Sequence, residues 1–585
     1  MYLSTLRVTN FRRLKDAEFT FQDGLNVIVG ENNSGKTAIV DAIRTVLNYR
    51  RFDIDDLYVE NKTLAASTSI EAIFDGTNVD DQAAFVHALI PGITRPRDYR
   101  IRIAVDATLK NDEIERKPSL GFGSTSGSYY DVLTRQRLDY LQALRDPYGS
   151  EGLRAGRQSK FYHLIRRTTT DTEREHLEGI ALDANERMQA TDPITRATNI
   201  VNTNLDLMSG LAYAMTASLN FVEPDFNRLA AQLEGSADGL NVGMMGLGSG
   251  NMVYISTVLG DMTNANDLED KRYRALIIEE PEAHLHPQRQ ILLLRFLEEQ
   301  VQKSQRPLQI FVTTHSPILA SQAAMKNLLP LIDTTIKVDG ADVRRTISRP
   351  VETGDTTKEA TRIKQYLDAT RSELFFARNL ILVEGDAERL LLPQLARTWK
   401  GEDLERRGVT LVSAAGLNFL VFLPFIKSDV LNIKVAILAD SDKPRADDGR
   451  ELTESAYVTR LKAEVKDDAN LEVFVADRTF EYELALPPEN RDLLLEAISA
   501  VRPTKGPKFA AEHPEGGKDF AASFYDEFFG NGSTSKAEFA MELSLVLRDR
   551  EGFTVPEYIA KAFEFILPPP DGASEAVAQP AQANG

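Results

Sequence analysis

Two groups of side chains in this 585-residue sequence have the types and spacing needed for chemistry, and the first is a phosphate-binding loop. The segment Gly30-Glu31-Asn32-Asn33-Ser34-Gly35-Lys36-Thr37 matches G-x-x-x-x-G-K-[ST] at every fixed position. The glycines let the backbone wrap a triphosphate with its N–H groups aimed inward, Lys36 brings positive charge to the phosphates, and Thr37 offers a hydroxyl to Mg²⁺. The segment therefore predicts an ATP site.

Two carboxylates much later in the chain fit the same site. Glu279 and Glu280 directly follow the apolar run Ala275 to Ile278, which predicts a buried strand. A carboxylate at a strand tip can hold Mg²⁺ beside Thr37, and the next one can activate water against the γ-phosphate. We expect Glu279 to have the first role and Glu280 the second.

The second group is a set of four carboxylates in the last third of the chain. Glu384 ends an apolar strand, and Glu388 follows one helical turn later, so both can lie near one ion. Asp440 and Asp442 form an Asp-x-Asp pair at the end of another predicted strand. Four carboxylates at neighbouring strand ends would repel one another without cations, which predicts a divalent metal site.

Strand and helix patterns surround both groups. Residues 24–29 read as a strand before the phosphate loop, and apolar residues at helical spacing follow it from Ile39 to Leu47. A second series of strands and helices begins at Asn379 and delivers the four carboxylates. The sequence predicts an α/β protein with two catalytic units.

Two further motifs extend the nucleotide site. Met245 to Asn251, which includes Ser249 and Gly250, resembles the signature motif of ABC-type ATPases, and His315 after the next strand resembles their switch histidine. The order of the motifs is similar to the ATPase head of DNA-repair and chromosome-maintenance proteins. This resemblance implies a dimer in which Ser249 and Gly250 of one chain complete the ATP site of the other.

Three features depart from that pattern. Glu279 stands where such heads usually carry Asp, and no convincing glutamine of the Mg²⁺-sensing loop can be located. The segment between the two halves of the head also has no heptad pattern long enough for coiled-coil arms. A long clamp is therefore not expected.

The carboxylates after residue 380 resemble the Toprim domain, and a head followed by a Toprim domain resembles the OLD (overcoming lysogenization defect) family over about residues 1–565. That family adds a Thr-Leu-Glu element, which Thr479-Phe480-Glu481 matches with one change, and a late lysine, which Lys536 matches. Glu483 competes with Glu481 as a ligand. Lys505, Lys508 and Lys518 compete with Lys536.

The resemblance implies hydrolysis of a phosphodiester by two Mg²⁺ or Mn²⁺ ions about 4 Å apart, with a further Mg²⁺ bound beside ATP. Lys536 would stabilise the transition state, and Glu384 and Asp440 would act in catalysis. The residues that the resemblance assigns as ligands of these two ions are Glu384, Glu388, Asp440, Asp442 and Glu481.

Composition limits the alternatives. The chain has no cysteine, which excludes disulfides, thiolate catalysis and cysteine-bound zinc. It shows no signal peptide and no long apolar run, so we expect a cytoplasmic protein without a membrane segment. Its formal charge of −19 disfavours a generally DNA-binding surface but allows a local basic groove. Arg154, Arg157, Lys160, Arg166 and Arg167, with three interleaved aromatic or histidine residues, form either such a contact or a solvated helix face.

We predict six segments. They are the first part of an ABC-type ATPase head (1–130), a helical insertion that is a candidate for dimerisation (131–235), the second part of the head (236–345), a connector (346–375), a Toprim nuclease domain (376–567) and a disordered tail (568–585).

The predicted function is an ATP-binding and ATP-hydrolysing, metal-dependent DNA endonuclease or nickase that acts as a homodimer or higher homo-oligomer. The resemblance associates it with phage defence or DNA repair and, in some relatives, with a helicase-like partner. One alternative is a topoisomerase or primase, although no separate domain is obviously set aside for an active-site tyrosine. The other is a non-catalytic, ATP-gated DNA-binding protein.

Overall fold

The computed structural model describes residues 1–60, 62–92, 98–111, 113–123, 126–143, 146–149, 152–209, 214–264, 271–304, 306–338, 341–351, 367–368, 370–416, 419–441, 455–530 and 532–567. The predicted tail, 568–585, lies outside the described residues.

The strands are β1 (Tyr2–Phe11), β2 (Leu14–Thr20), β3 (Leu25–Val29), β4 (Val59–Glu60), β5 (Thr63–Leu64), β6 (Ser67–Asp75), β7 (Leu89–Ile90), β8 (Arg100–Lys110), β9 (Glu113–Leu120), β10 (Gln136–Leu141), β11 (Ser236–Ala237), β12 (Leu240–Asn241), β13 (Tyr273–Glu279), β14 (Gln309–Thr314), β15 (Leu328–Pro330), β16 (Ile332–Val338), β17 (Ala341–Ser348), β18 (Asn379–Val383), β19 (Val409–Ser413), β20 (Lys434–Ala439) and β21 (Leu471–Val475).

The α-helices are α1 (Lys36–Val46), α2 (Val79–Ala84), α3 (Ser126–Thr134), α4 (Lys160–Thr168), α5 (Asp171–Gln189), α6 (Asp192–Ser209), α7 (Phe226–Ala231), α8 (Leu247–Asn264), α9 (Pro287–Lys303), α10 (Pro317–Gln322), α11 (Asp386–Lys400), α12 (Leu423–Ile426), α13 (Ala456–Val465), α14 (Phe480–Ala485), α15 (Arg491–Val501), α16 (Lys505–Glu512), α17 (Lys518–Phe528), α18 (Lys536–Asp549) and α19 (Glu557–Ile566).

The part of the chain before β18, which the sequence predicts to be an ATPase head and which is called the ATPase part below, contains two sheets. A parallel sheet has the order β10-β13-β14-β3-β15, and β13, β14 and β3 are buried along their whole lengths because helices and the other sheet cover both faces. The other sheet has the order β16-β17-β2-β1-β6-β8-β7, with β9 paired to β8, and is antiparallel except where β17 meets β2. Its strands alternate buried and exposed residues as half-covered strands do.

Gln309 joins these two sheets. Its buried side chain accepts hydrogen bonds from Leu3 N at 2.9 Å and from the Tyr273 hydroxyl at 3.0 Å. Its amide group donates to the carbonyl oxygens of Leu3 and Gln22, both at 2.9 Å. A single side chain therefore satisfies polar groups on both sheets.

Replacing Gln309 by Met, which has a similar volume, should destabilise the ATPase part by about 3 kcal/mol, because several buried polar groups lose their partner. Since the chain has more than one domain, the proper readout is the shift of the individual calorimetric transition rather than one free energy of unfolding. The same change at the exposed Gln288 is the control and should leave that transition in place. An unshifted transition in the Gln309 variant would contradict this role.

The segment 131–235, predicted to be helical, begins differently. Residues 136–141 form β10, which pairs in parallel with β13 at the edge of the ATPase sheet. The prediction missed this strand because it is short and its partner lies more than 100 residues later. The helices α4, α5, α6 and α7 follow, and α5 buries none of its residues within the chain.

The last third of the chain contains a parallel sheet with the order β19-β18-β20-β21. A buried apolar cluster continues from this sheet into the ATPase part and includes Leu319 and Ala320 of α10, Leu374 and Phe375 of the 3-10 helix Arg371–Phe376, and Leu380 of β18. The ATPase part and the last third of the chain thus share part of their core. The predicted α/β multidomain class is confirmed.

No helix in the described ranges is long and apolar enough to span a bilayer.

Candidate functional site

The phosphate loop connects β3 to α1. Gly35 is the N-cap of α1 with φ 110°, and Asn33 also has a positive φ of 67°. A side-chain carbon at Gly30 would lie 2.8 Å from Ser34 Oγ. The loop therefore depends on glycine at both of its fixed positions, as the pattern predicts.

Lys36 is held inside this loop. Its Nζ donates to the carbonyl oxygens of Gly30 and Glu31, both at 2.7 Å, and lies 3.3 Å from Nδ1 of His315. Burial lowers the pKa of Lys36 to about 8, although the carboxylates of Glu280 and Glu282 oppose this shift. An anionic ligand at this site would therefore favour the protonated form of the Lys36 amine.

ATP binding at pH 8 should therefore take up about half a proton, because about half of the Lys36 amines are neutral there and the phosphates favour the charged form. Titration calorimetry in two buffers with different ionisation enthalpies measures this uptake. A Lys36→Arg variant keeps its charge at this pH and should take up no proton. Equal heats in both buffers for the native protein would contradict the prediction.

The two carboxylates after β13 occupy different environments. Glu279 is buried, and burial together with the nearby Asp41 and Glu280 raises its pKa to about 7. Glu280 has φ 44°, its N–H donates to Thr313 O at 2.9 Å, and its Oε1 lies 3.0 Å from Nε2 of His315. A bound cation would relieve the crowding around Glu279, which suits the predicted Mg²⁺ ligand.

His315 links the two strands and the loop. It contacts Lys36 through Nδ1 and Glu280 through Nε2, because β14 lies between β3 and β13 in the sheet. The structure thus brings the phosphate loop, Glu280 and the predicted switch histidine together. Thr37, in the first turn of α1, exposes its side chain.

Sequence reasoning missed Glu282. It accepts hydrogen bonds from Thr314 Oγ1 at 2.7 Å and from His315 N at 2.8 Å, and burial raises its pKa. Its Oε2 is buried and has no hydrogen-bond partner among the residues that the structure describes. Glu282 therefore fixes the backbone that carries His315, a role with no motif except its position two residues after Glu280.

Sequence reasoning also missed Gln142. It directly follows β10, and the parallel register pairs Leu141 with Ile278, so Gln142 comes level with Glu279 at the carboxyl edge of the sheet. This is a suitable position for the Mg²⁺-sensing glutamine that the sequence pattern lacked. The short strand before it was the available signal.

The signature-like motif lies at the start of α8. Ser249 Oγ accepts a hydrogen bond from Arg289 Nη1 at 2.8 Å, and a side-chain carbon at Gly250 would lie 2.4 Å from the Tyr148 hydroxyl. Gly248 approaches the backbone of His284, just after β13. None of the contacts described for Ser249 or Gly250 involves the phosphate loop of the same chain.

The second site lies at the carboxyl ends of β18 and β20. Glu384 Oε1 accepts a hydrogen bond from Asp440 N at 2.9 Å, and Glu388 Oε2 accepts one from Gly385 N at 3.2 Å. Because β18 and β20 are adjacent and parallel, residues more than 50 positions apart meet at one edge. The predicted convergence of these carboxylates is observed for Glu384, Glu388 and Asp440, whereas Asp442 lies outside the described residues.

Burial and mutual repulsion raise the pKa values of carboxylates in this cluster. Burial and the charges of Glu481 and Glu384 raise the pKa of Glu388 to about 7. Burial, Glu384, Glu388 and Glu481 raise the pKa of Asp440 well above its usual value. A cation would reverse these shifts, so the electrostatics fit a metal site.

The structure distinguishes between the competing late residues. Lys536 Nζ lies 2.8 Å from Glu481 Oε2, and this carboxylate is buried in α14. Glu483, on another face of the same helix, accepts a hydrogen bond from Asp477 N at 2.9 Å. Lys505 and Lys508 pair with Glu527 and Glu512 on the surface. Glu481 and Lys536 are therefore the pair that belongs to the cluster.

Ion binding would change these contacts. Among the residues that the structure describes, no three acidic or histidine side chains are arranged to hold a metal ion. Lys536 forms an ion pair with Glu481, and Glu384 accepts a hydrogen bond from the backbone N–H of Asp440. The oxygen-only donor set nevertheless fits Mg²⁺ or Mn²⁺, which would compete for these oxygens.

The basic segment before α5 is partly structural. Tyr162 is buried, and Arg167 donates to Asp261 Oδ2 at 2.5 Å, where Arg137 also donates. Arg154, Arg157 and Arg166 are exposed, and Lys160 is partly exposed. Tyr162 and Arg167 therefore support helix packing. Within this segment, the exposed arginines are the ones available for a nucleic-acid contact.

Known proteins share both units. The AAA ATPase domain model matches residues 1–115 and 150–320, and the model of the overcoming lysogenization defect protein-like Toprim domain matches residues 375–442. The OLD nuclease of Thermus scotoductus is 26% identical over 67% of this chain and 73% of its own. The Old nuclease of Escherichia phage P2 is 21% identical over 75% and 77%, and the endonuclease GajA of Bacillus cereus is 21% identical over 80% and 82%.

Proposed function

Because the chain belongs to the OLD family, with an AAA ATPase domain followed by an OLD-like Toprim domain, we propose that it is an ATP-binding, metal-dependent DNA endonuclease or nickase. The observation that carries this proposal is the cluster of Glu384, Glu388, Asp440 and Glu481 with Lys536 at the edge of a parallel sheet. Similarity to proteins named as nucleases over most of the chain supports it.

The cluster supplies the parts that phosphodiester hydrolysis needs. Two Mg²⁺ or Mn²⁺ ions would lower the pKa of an attacking water and neutralise the leaving oxygen. Glu384, Glu388, Asp440, Asp442 and Glu481 would hold them. Lys536 would then move from Glu481 toward the scissile phosphate, where its positive charge stabilises the transition state.

The ATPase part would control this site. Lys36 and the loop N–H groups would bind the phosphates, while Thr37, Glu279 and Gln142 would surround Mg²⁺. Glu280 would orient and activate water, and His315 would contact the γ-phosphate. Ser249 and Gly250 of one chain would cap the ATP bound by a second copy. Their motif lies at the start of helix α8, and its described contacts do not involve the phosphate loop of its own chain.

A contact within the chain supports coupling of the two units. Ser316, next to His315, is the N-cap of α10, and α10 packs against the 3-10 helix Arg371–Phe376 that leads into β18. Glu31, within the phosphate loop, also pairs with Arg378 at 2.9 Å. Movement at the ATP site would thus reach the strand that carries Glu384 through rigid, packed elements.

The insertion is proposed to pair two chains. Beyond β10, its helices α5 and α6 expose many large apolar side chains, and an unpacked helix is marginal in water. A second copy would cover these residues, which are Leu177, Ile180, Leu182, Met188, Ile200, Val201, Leu207 and Met208. The proposed limits of the other segments remain 236–345 for the second part of the head, 346–375 for the connector and 376–567 for the Toprim domain.

Incubation of supercoiled plasmid with the native protein tests the function. Nicked or linear DNA should form in Mg²⁺ or Mn²⁺ and not after chelation. DNA binding without cleavage in any metal would instead indicate an ATP-gated binding protein. A covalent protein–DNA adduct would indicate a topoisomerase.

A further inference from the structure

Arg478 lies beside the carboxylate cluster but has no role in the assignments above. Its carbonyl oxygen accepts a hydrogen bond from Ser441 N at 3.2 Å, and Ser441 directly follows Asp440. Three residues later, Glu481 pairs with Lys536. The backbone of Arg478 is therefore fixed against the Asp-x-Asp loop.

Two tyrosine rings position the side chain. The Arg478 guanidinium lies 4.6 Å from the ring centre of Tyr482 and 5.7 Å from that of Tyr525. Arg478 also hydrogen-bonds the side chain of Tyr482. Because a guanidinium has five N–H donors, others remain available for further partners.

Arg478 differs from two other arginines of the same domain in its described contacts with carboxylates. Within the part of the chain that the structure describes, it forms no ion pair, whereas Arg491 pairs with Asp492 and Arg550 pairs with Glu496. Its side chain is partly exposed. An oriented and accessible cation of this kind suits an anionic ligand with planar oxygen geometry.

We propose that Arg478, held between Tyr482 and Tyr525, binds a DNA backbone phosphate adjacent to the one that is cleaved. This inference rests on the proposed nuclease function and adds a substrate-binding residue to it. In a chain with a formal charge of −19, DNA needs local cations of this kind. Lys536 contacts α14 at Glu481, and Arg478 contacts the same short helix at Tyr482.

Binding of a labelled DNA duplex in Ca²⁺, followed by fluorescence anisotropy over a range of salt concentrations, tests the proposal without cleavage. Arg478→Ala should weaken binding about tenfold and reduce the slope of log K against log salt by about 0.9, the value for one lost phosphate contact. Arg478→Lys should keep the slope. Arg550→Ala, which removes a surface arginine of the same domain, should change neither quantity.

An unchanged salt slope in Arg478→Ala would overturn the proposal. Equal loss of binding in the alanine and lysine variants, together with a lowered melting temperature, would also overturn it, because it would show a structural role. If the native protein binds this DNA with the predicted Arg478 dependence but never cleaves, the nuclease function fails and the phosphate contact stands.

Discussion

Asp440→Asn is expected to reduce DNA cleavage by about a thousandfold or more, because a metal ligand and its charge are lost at the centre of the carboxylate cluster. Burial and three neighbouring carboxylates raise the pKa of Asp440, so its negative charge is unfavourable without metal. At pH values above the pKa of Asp440, the metal-free domain of the variant should therefore be at least as stable as that of the native protein. ATP hydrolysis should continue.

A combination of measurements separates this from misfolding. Plasmid cleavage, ATPase activity and the melting temperature are compared between the native protein and Asp440→Asn. Glu472→Gln, an exposed change on β21 of the same sheet, is the control and should cleave normally. Native cleavage by Asp440→Asn would exclude this cluster as the catalytic site.

The second large effect is expected for Glu280→Gln. Loss of the carboxylate that would activate water should lower ATP hydrolysis by about a hundredfold to a thousandfold. The amide has the same shape, and it removes one of the charges that raise the pKa of Glu279, so ATP and Mg²⁺ should still bind. The variant should therefore accumulate the ATP-bound state with two chains paired.

Light scattering during size-exclusion chromatography, with and without ATP, measures this pairing. Phosphate release measures ATP hydrolysis in the same samples. Glu299→Gln changes an exposed glutamate of α9 and should hydrolyse ATP normally. Full ATPase activity in Glu280→Gln would assign the water-activating role to another residue, and Glu282 would then be tested next.

Much of both sites could be predicted because their residues directly follow apolar strands. The phosphate loop, Glu280, Glu384 and Asp440 each end such a strand, and the carboxyl ends of adjacent parallel strands meet at one edge. Local sequence thus contains both the chemistry and its placement for these residues.

The remaining residues depend on contacts that local sequence does not contain. Gln142 gains its position from the pairing of β10 with β13, more than 130 residues later, and Glu282 from a bond to the backbone of another loop. Glu481 and Glu483 are two residues apart at the start of one helix, so only its orientation decides which one faces Lys536. The family resemblance pointed to the Thr-Leu-Glu element and to the late lysine, but it left the choice between Glu481 and Glu483 open.

The central claim is that the Toprim carboxylates cut DNA while the phosphate loop controls them. Its most direct test is the rate of plasmid cleavage in Mn²⁺ with ATP, ADP or no nucleotide, for the native protein, Asp440→Asn and Lys36→Ala. We predict a nucleotide-dependent rate for the native protein, no cleavage by Asp440→Asn in any state, and cleavage by Lys36→Ala that no longer responds to nucleotide. Cleavage by Asp440→Asn, or an unchanged ATP response in Lys36→Ala, would contradict the claim.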